Sequence, residues 1–293
     1  MEILFEKTFW IIALGTGLLG AASGILGSFA VLKNQSLLGD AISHAALPGI
    51  VLAYLITGEK STFILLSGAI VCGILGAYFV NDIVKNSRLK TDTALGIILS
   101  VFFGLGMMLL TYTQSLEDAN QAGLDKYLFG QAATLMQKDV NVMLGFLLPS
   151  LLVVFLFWKE IKLFLFDTEY AKTLGIKTEK INLLITLLVV VIIVMGLQTV
   201  GVVLMSSLLL APAAAARQWT NSLAKMLGLA AFFGAFSGIF GSYFSATESN
   251  LPTGPVVVLI ISALVFISLL FAPKRGIIAK YFSNKEKQKQ FVS

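Results

Sequence analysis

Apolar positions in this chain come in long unbroken runs, and polar ones collect between the runs rather than alternating with them. A run of about 20 apolar residues is what an α-helix needs to cross a bilayer, and no sustained period of two argues for strands. Nine such runs are legible, at 9–32, 37–57, 62–83, 93–113, 140–158, 181–197, 199–216, 225–246 and 254–272. The sixth and seventh are short and nearly fused through "GLQTVG", which predicts a broken or half-spanning element there. The expected fold class is all-α, a polytopic membrane helical bundle of about eight or nine transmembrane helices.

Composition agrees. Hydrophobic residues make up 57% of the 293, charged residues 13%, and mean hydropathy is +0.89. Soluble domains carry about 25% charged residues, so this is an integral membrane protein. One transmembrane domain over 1–273 and a basic tail over 274–293 account for the length. The start, "MEILFEKTFW", lacks a basic leader, and no cleavable signal peptide is expected. The single cysteine, Cys72, excludes an internal disulfide framework and a cysteine-rich metal site.

Charge adds an orientation. With the C-terminus in the cytoplasm, 17 of the 21 Lys and Arg residues fall inside, and only Lys7, Lys60, Lys126 and Lys138 fall outside. The positive-inside rule then gives N-terminus outside and C-terminus inside, and the basic pI of about 9.2 needs no nucleic acid. Glycines spaced at i, i+4 in "GTGLLGAASGILG", "GAIVCGILG" and "GLAAFFGAFSGIFG" predict close helix–helix packing.

Chemistry concentrates in "LLGDAISHAALPG", residues 37–49. Asp40 and His44, the only histidine of the chain, stand at i, i+4 on one helical face. A carboxylate in hydrocarbon is costly unless it is paired or faces a cavity. Carboxylate oxygen and neutral imidazole nitrogen both ligate divalent transition ions. Pro48 has no N–H, so the carbonyl of His44 loses its helical partner. The expected cluster is Asp40, His44, that freed carbonyl and the Ser43 hydroxyl. The alternative is an Asp–His pair that satisfies itself and pins the helix. Two ligands leave a site incomplete, to be finished by other helices, water or a second copy of the chain.

A second stretch, "FDTEYAKTLGIKTEK" at 166–180, is polar. Asp167 suits an N-cap, Glu169 the first turn and Gly175 the position past the last turn. Residues 168–174 are then a short amphipathic helix at the membrane face, suited to docking into another protein or serving as a plain capped loop. In the outward loop 114–139, Glu117, Asp118, Asp125 and Asp139 join Glu2, Glu6, Glu59 and Glu248 as outward acids. They form either a cation-collecting vestibule or an ordinary solvated loop. No P-loop, HExxH or second histidine is present, so the chain is not expected to be an enzyme, and an ATPase would be a separate chain.

Taken together, "LKNQSLLGDAISHAALPGIVLAYL" (32–55), "YLFGQAATL" (127–135), "DTEYAKTLGI" (167–176), "VGVVLMSSLLLAPAAAAR" (200–217) and "LPTGPVVVLI" (251–260) resemble the ABC-3 family. These are the integral-membrane permeases of ABC importers for manganese, zinc or iron. A looser likeness extends to cobalamin and ferric-siderophore permeases, from which the chain departs by carrying Ala213 after Pro212 where that group has His. The resemblance implies a type II ABC importer permease in a bacterial cytoplasmic membrane, homodimeric, with its pathway at the dimer axis. It implies a cytoplasmic ABC ATPase that binds ATP, and an extracytoplasmic metal-binding protein. Carried onto this chain, Asp40 and His44 are the metal ligands, with Ser43 and Pro48 in support. Residues 167–176 are the coupling helix, with Asp167, Glu169, Tyr170, Lys172, Leu174 and Gly175 facing or shaping the ATPase contact. No cofactor is held permanently; the metal is cargo. An oxygen–nitrogen site without thiolate leans to Mn²⁺, with Zn²⁺ or Fe²⁺ as alternatives. A secondary transporter or channel moving a cation without ATP is the competing class, and it has no need of a docking helix.

Overall fold

The structure is a computed structural model that describes residues 7–35, 37–115, 130, 132, 135–247, 251–273 and 275–278. Its helices are α1 (Lys7–Leu32), α2 (Leu38–Thr57), α3 (Thr62–Asn86), α4 (Thr91–Ser115), α5 (Gln137–Leu156), α6 (Trp158–Phe166), α7 (Thr168–Thr173), α8 (Thr178–Leu197), α9 (Val202–Trp219), α10 (Leu223–Thr247) and α11 (Thr253–Phe271). Among the described residues eight of these, all but α6, α7 and α9, are long and apolar enough to span a membrane.

The helices sort by what they touch. α1 lies along α10 and also meets α8 and α9, while α2 is wedged among α3, α4, α8 and α9. Burial follows: Ala41, Ile42, Ala45, Ala46, Ile50 and Val51 of α2 are sealed on several sides. Small residues make the closest contacts. A Cβ added at Gly20 would come within 2.2 Å of the Gly234 carbonyl oxygen, and one at Gly49 within 2.2 Å of that of Gly68. Backbone therefore lies on backbone along α1–α10 and α2–α3, and any side chain there would separate the helices. Between α1 and α10 the Thr16 and Ser242 hydroxyls also share a 2.8 Å hydrogen bond.

The nearly fused pair proves to be two helices. α8 ends at Leu197, residues 198–201 turn, and Gly201 takes φ 85° before α9 begins. At 18 residues α9 is about 27 Å long, barely the hydrocarbon thickness. It packs against α1, α2, α8, α10 and α11, and Trp219 at its end donates to the Ser268 hydroxyl of α11 at 3.0 Å.

Two readings of the sequence change. The run expected at 140–158 is cut at Phe157 (φ −95°, ψ 23°), and α6 starts afresh. No Gly or Pro marks the break. Trp158, Lys159 and Lys162 do, as residues suited to a membrane–water interface. Asp139, counted among the outward acids, is buried instead. Its carboxylate accepts from the Met136 amide at 3.1 Å and from the Thr62 hydroxyl at 3.2 Å, so it caps α5 and ties it to α3. Glu2, Glu6, Glu117, Asp118, Asp125 and Glu248 lie outside the described residues, as does most of the tail.

Candidate functional site

α2 presents Asp40 and His44 one turn apart. Asp40 stands in the first turn, where the helix dipole favours a negative charge, and Leu37 before it offers no side-chain cap. Asp40 opens into a groove of about 350 Å³ between α9 and α11, lined by Ser206, Ser207, Leu210, Ala211, Ser262 and Phe266 among others. Three hydroxyls thus sit around one carboxylate in a mostly apolar wall. Nothing in the sequence pattern joined Ser206 and Ser207 to Asp40, though a serine pair inside an apolar helix was a visible signal.

His44 is half-buried and turns toward α4. Its ring meets that of Phe103 edge-on, with centroids 4.6 Å apart at 71°. Its Nδ1 is buried and has no hydrogen-bond partner. Among the described residues no hydrogen bond joins Asp40 to His44, so the self-satisfied pair is not the arrangement found. Buried polar atoms are nearly always bonded, and a neutral imidazole nitrogen is one of the donors that divalent transition ions accept.

Ser43 is fully buried on the neighbouring face, with its hydroxyl unbonded, and it does not line the Asp40 groove. Pro48 is buried within the continuous helix α2, its ring against α4 at Gly106. Among the described residues no three of His, Cys, Asp and Glu gather in one chain. Asp40 and His44 thus supply only two such side chains in one chain, and His44 does not line the groove into which Asp40 opens.

At one end of the bundle α7 forms as the capping pattern implies. The Asp167 carboxylate accepts from the Tyr170 amide at 2.9 Å, and Gly175 takes φ 78° just past the helix. Lys172 donates to Glu169 at 2.8 Å on an exposed face, a pair of little energetic weight. Ala171 is sealed against the protein, whereas Tyr170 and Leu174 are 53% and 57% exposed. Phe164 and Leu165 of α6 pack against the core; Phe166 is exposed.

The sequence profile of the ABC 3 transport family matches residues 6–272. The zinc transport system membrane protein TroC of Treponema pallidum (strain Nichols) is 47% identical over 95% of this chain and 93% of its own length. The manganese transport system membrane protein MntC of Bacillus subtilis (strain 168) is 46% identical over 96% of this chain, which spans 64% of that longer protein. A solved structure of PsaBC from Streptococcus pneumoniae in complex with Fab superposes with a TM-score of 0.81, at 32% identity and 96% coverage of both chains.

Proposed function

The chain belongs to the ABC 3 transport family, and from that premise we propose that it is the permease subunit of an ATP-binding cassette importer for a divalent transition metal, Mn²⁺ ahead of Zn²⁺ and Fe²⁺. The observation that carries the reading is the unbonded pair on α2. A carboxylate opening into a groove and an imidazole with a free buried nitrogen stand one turn apart in an otherwise apolar helix. The relatives named for manganese and zinc transport support the substrate class.

Asp40 supplies a hard anionic oxygen and His44 a neutral nitrogen, a mixed set that suits Mn²⁺ and excludes thiolate-loving Cu⁺. Pro48 withholds an amide hydrogen from the His44 carbonyl, leaving that oxygen without its helical donor. A second copy of the chain, with its groove turned to the first, would double the ligands, and the α9–α11 wall beside Asp40 is the face offered for this.

Energy enters through a separate ATPase in this reading. α7 presents Tyr170 and Leu174 outward from a rigid capped turn, a surface for a cytoplasmic partner, and an extracytoplasmic metal-binding protein delivers the ion. The basic residues clustered at 85–90, 159–180 and beyond 273 support reading that end as the cytoplasmic one in a bacterial cell, with the N-terminus outside.

The test is uptake by proteoliposomes holding this chain with its ATPase and binding protein. Mn²⁺ accumulation that requires ATP, with Zn²⁺ and Fe²⁺ as competitors, is expected. Accumulation without ATP, or of none of these ions, overturns the reading.

A further inference from the structure

At the α7 end of the bundle the protein half-buries a positive charge that the metal path does not use. Lys33 lies in the turn between α1 and α2, and its ammonium donates to the Asn182 amide oxygen at the start of α8. It also sits 5.9 Å over the Phe164 ring of α6. Among the described residues no carboxylate pairs with it; the ion pairs there are Lys85–Glu179 and Lys172–Glu169. An ammonium carries three N–H donors, and a neutral amide uses only one. Burying such a charge without a counter-ion is costly.

Beside Lys33 is a cavity of about 220 Å³, and its polar lining comes from four parts of the fold. Gln35 belongs to the same turn, Asn81 to α3, Thr91 to α4, and Asn182 with Thr186 to α8. Lys33 is the sole charged group of that lining; Gln35, Asn81, Asn182 and Thr91 add amides and a hydroxyl able to donate, while the Thr186 hydroxyl already donates to the Asn182 carbonyl at 2.9 Å. Thr91 is the first residue of α4, in the turn whose amides have no partner within the helix. The C-termini of α1 and α3 and the N-termini of α4 and α8 meet at this level, where lipid headgroups lie if these helices span a bilayer.

We infer that this cavity binds an anionic phosphate group, supplied by a membrane-lipid headgroup or by free inorganic phosphate. A tetrahedral anion with several acceptor oxygens matches donors drawn from separate elements, and its charge compensates the half-buried ammonium. Desolvation holds the Lys33 pKa down at about 8, which still leaves it largely charged at neutral pH. The bound group would lock the α1–α2 turn, just ahead of Asp40, to α3, α4 and α8. This proposal is independent of the metal assignment.

The test uses the purified full chain in a neutral detergent at pH 7. Thermal melting is followed in sodium phosphate against sodium chloride of equal ionic strength, and with phosphatidylglycerol against phosphatidylcholine. A rise in melting temperature with phosphatidylglycerol alone identifies the lipid as the source; a rise with phosphate identifies the free anion. In Lys33→Met the half-saturating concentration should rise at least about tenfold, the loss expected for a bond to a charged group, while Lys33→Arg should keep part of the effect. Asn81→Leu fills the cavity from α3 without touching the Lys33–Asn182 bond, and should weaken binding even if Lys33→Met does not fold. No shift over both controls in the unaltered chain, or a full shift in the variants that fold, shows that Lys33 only ties α1 to α8 and overturns the proposal.

Discussion

The Thr62 hydroxyl donates to the buried Asp139 carboxylate at 3.2 Å, joining the first turn of α3 to the first turn of α5. The same carboxylate holds the Met136 amide, so one side chain both caps a helix and binds two helices together. Asp139→Ala removes both bonds and leaves their donors unpaired, which should cost about 1–3 kcal/mol. A lower melting temperature with unchanged metal uptake by the folded protein is the expected result. Loss of uptake at full stability would return Asp139 to the list of cation-handling acids.

Asp40→Ala and His44→Ala should each abolish metal uptake while leaving expression and melting temperature near those of the parent. Among the described residues no hydrogen bond to the Asp40 carboxylate or the His44 Nδ1 is there for truncation to break, and both side chains are only half-buried. Uptake of radiolabelled Mn²⁺ alongside thermal melting separates the outcomes. Misfolding of both variants would point to a structural role for the pair.

Tyr170→Asp combined with Leu174→Asp should uncouple transport from ATP hydrolysis without emptying the metal site. Both side chains are more than half exposed, so the change leaves the permease folded and alters only the surface it offers. ATPase stimulation by the metal-loaded binding protein should vanish while metal binding persists. Full stimulation and uptake in the double variant would make α7 an ordinary loop helix.

The pH dependence of stability should carry a signature of Lys33. Burial lowers its pKa in the folded chain to about 8, against 10.5 for the free group. Between those values the unfolded chain binds more protons, so stability should rise with pH from about 8 to 10.5 and be flat in this respect below 8. The other polar groups lining its cavity do not titrate in this range. Melting curves in phosphate-free, lipid-poor detergent should show the rise in the parent and lose it in Lys33→Met. Parallel curves for the two would mean that Lys33 is solvated.

The sequence by itself determined most of the helices and their approximate ends, though not the break at Phe157 after which α6 starts afresh. Apolar runs of membrane length set the spans, because unpaired backbone groups cannot be left in hydrocarbon. Asp167 and Gly175 bounded α7 because capping is local chemistry within a few residues of chain. Asp40 and His44 stood out because ionisable groups in an apolar helix are rare and i, i+4 spacing places them together. Tertiary structure alone decided which faces meet. These helices are apolar on every side, so periodicity cannot separate the face toward protein from the face toward lipid. It therefore took the packed bundle to set Ser206, Ser207 and Ser262 around Asp40, to turn His44 onto Phe103, to bury Asp139 as a cap and to close α3, α4 and α8 around Lys33. Each of these joins residues far apart in the chain, and a contact of that kind exists only once two helices have chosen the same line of approach.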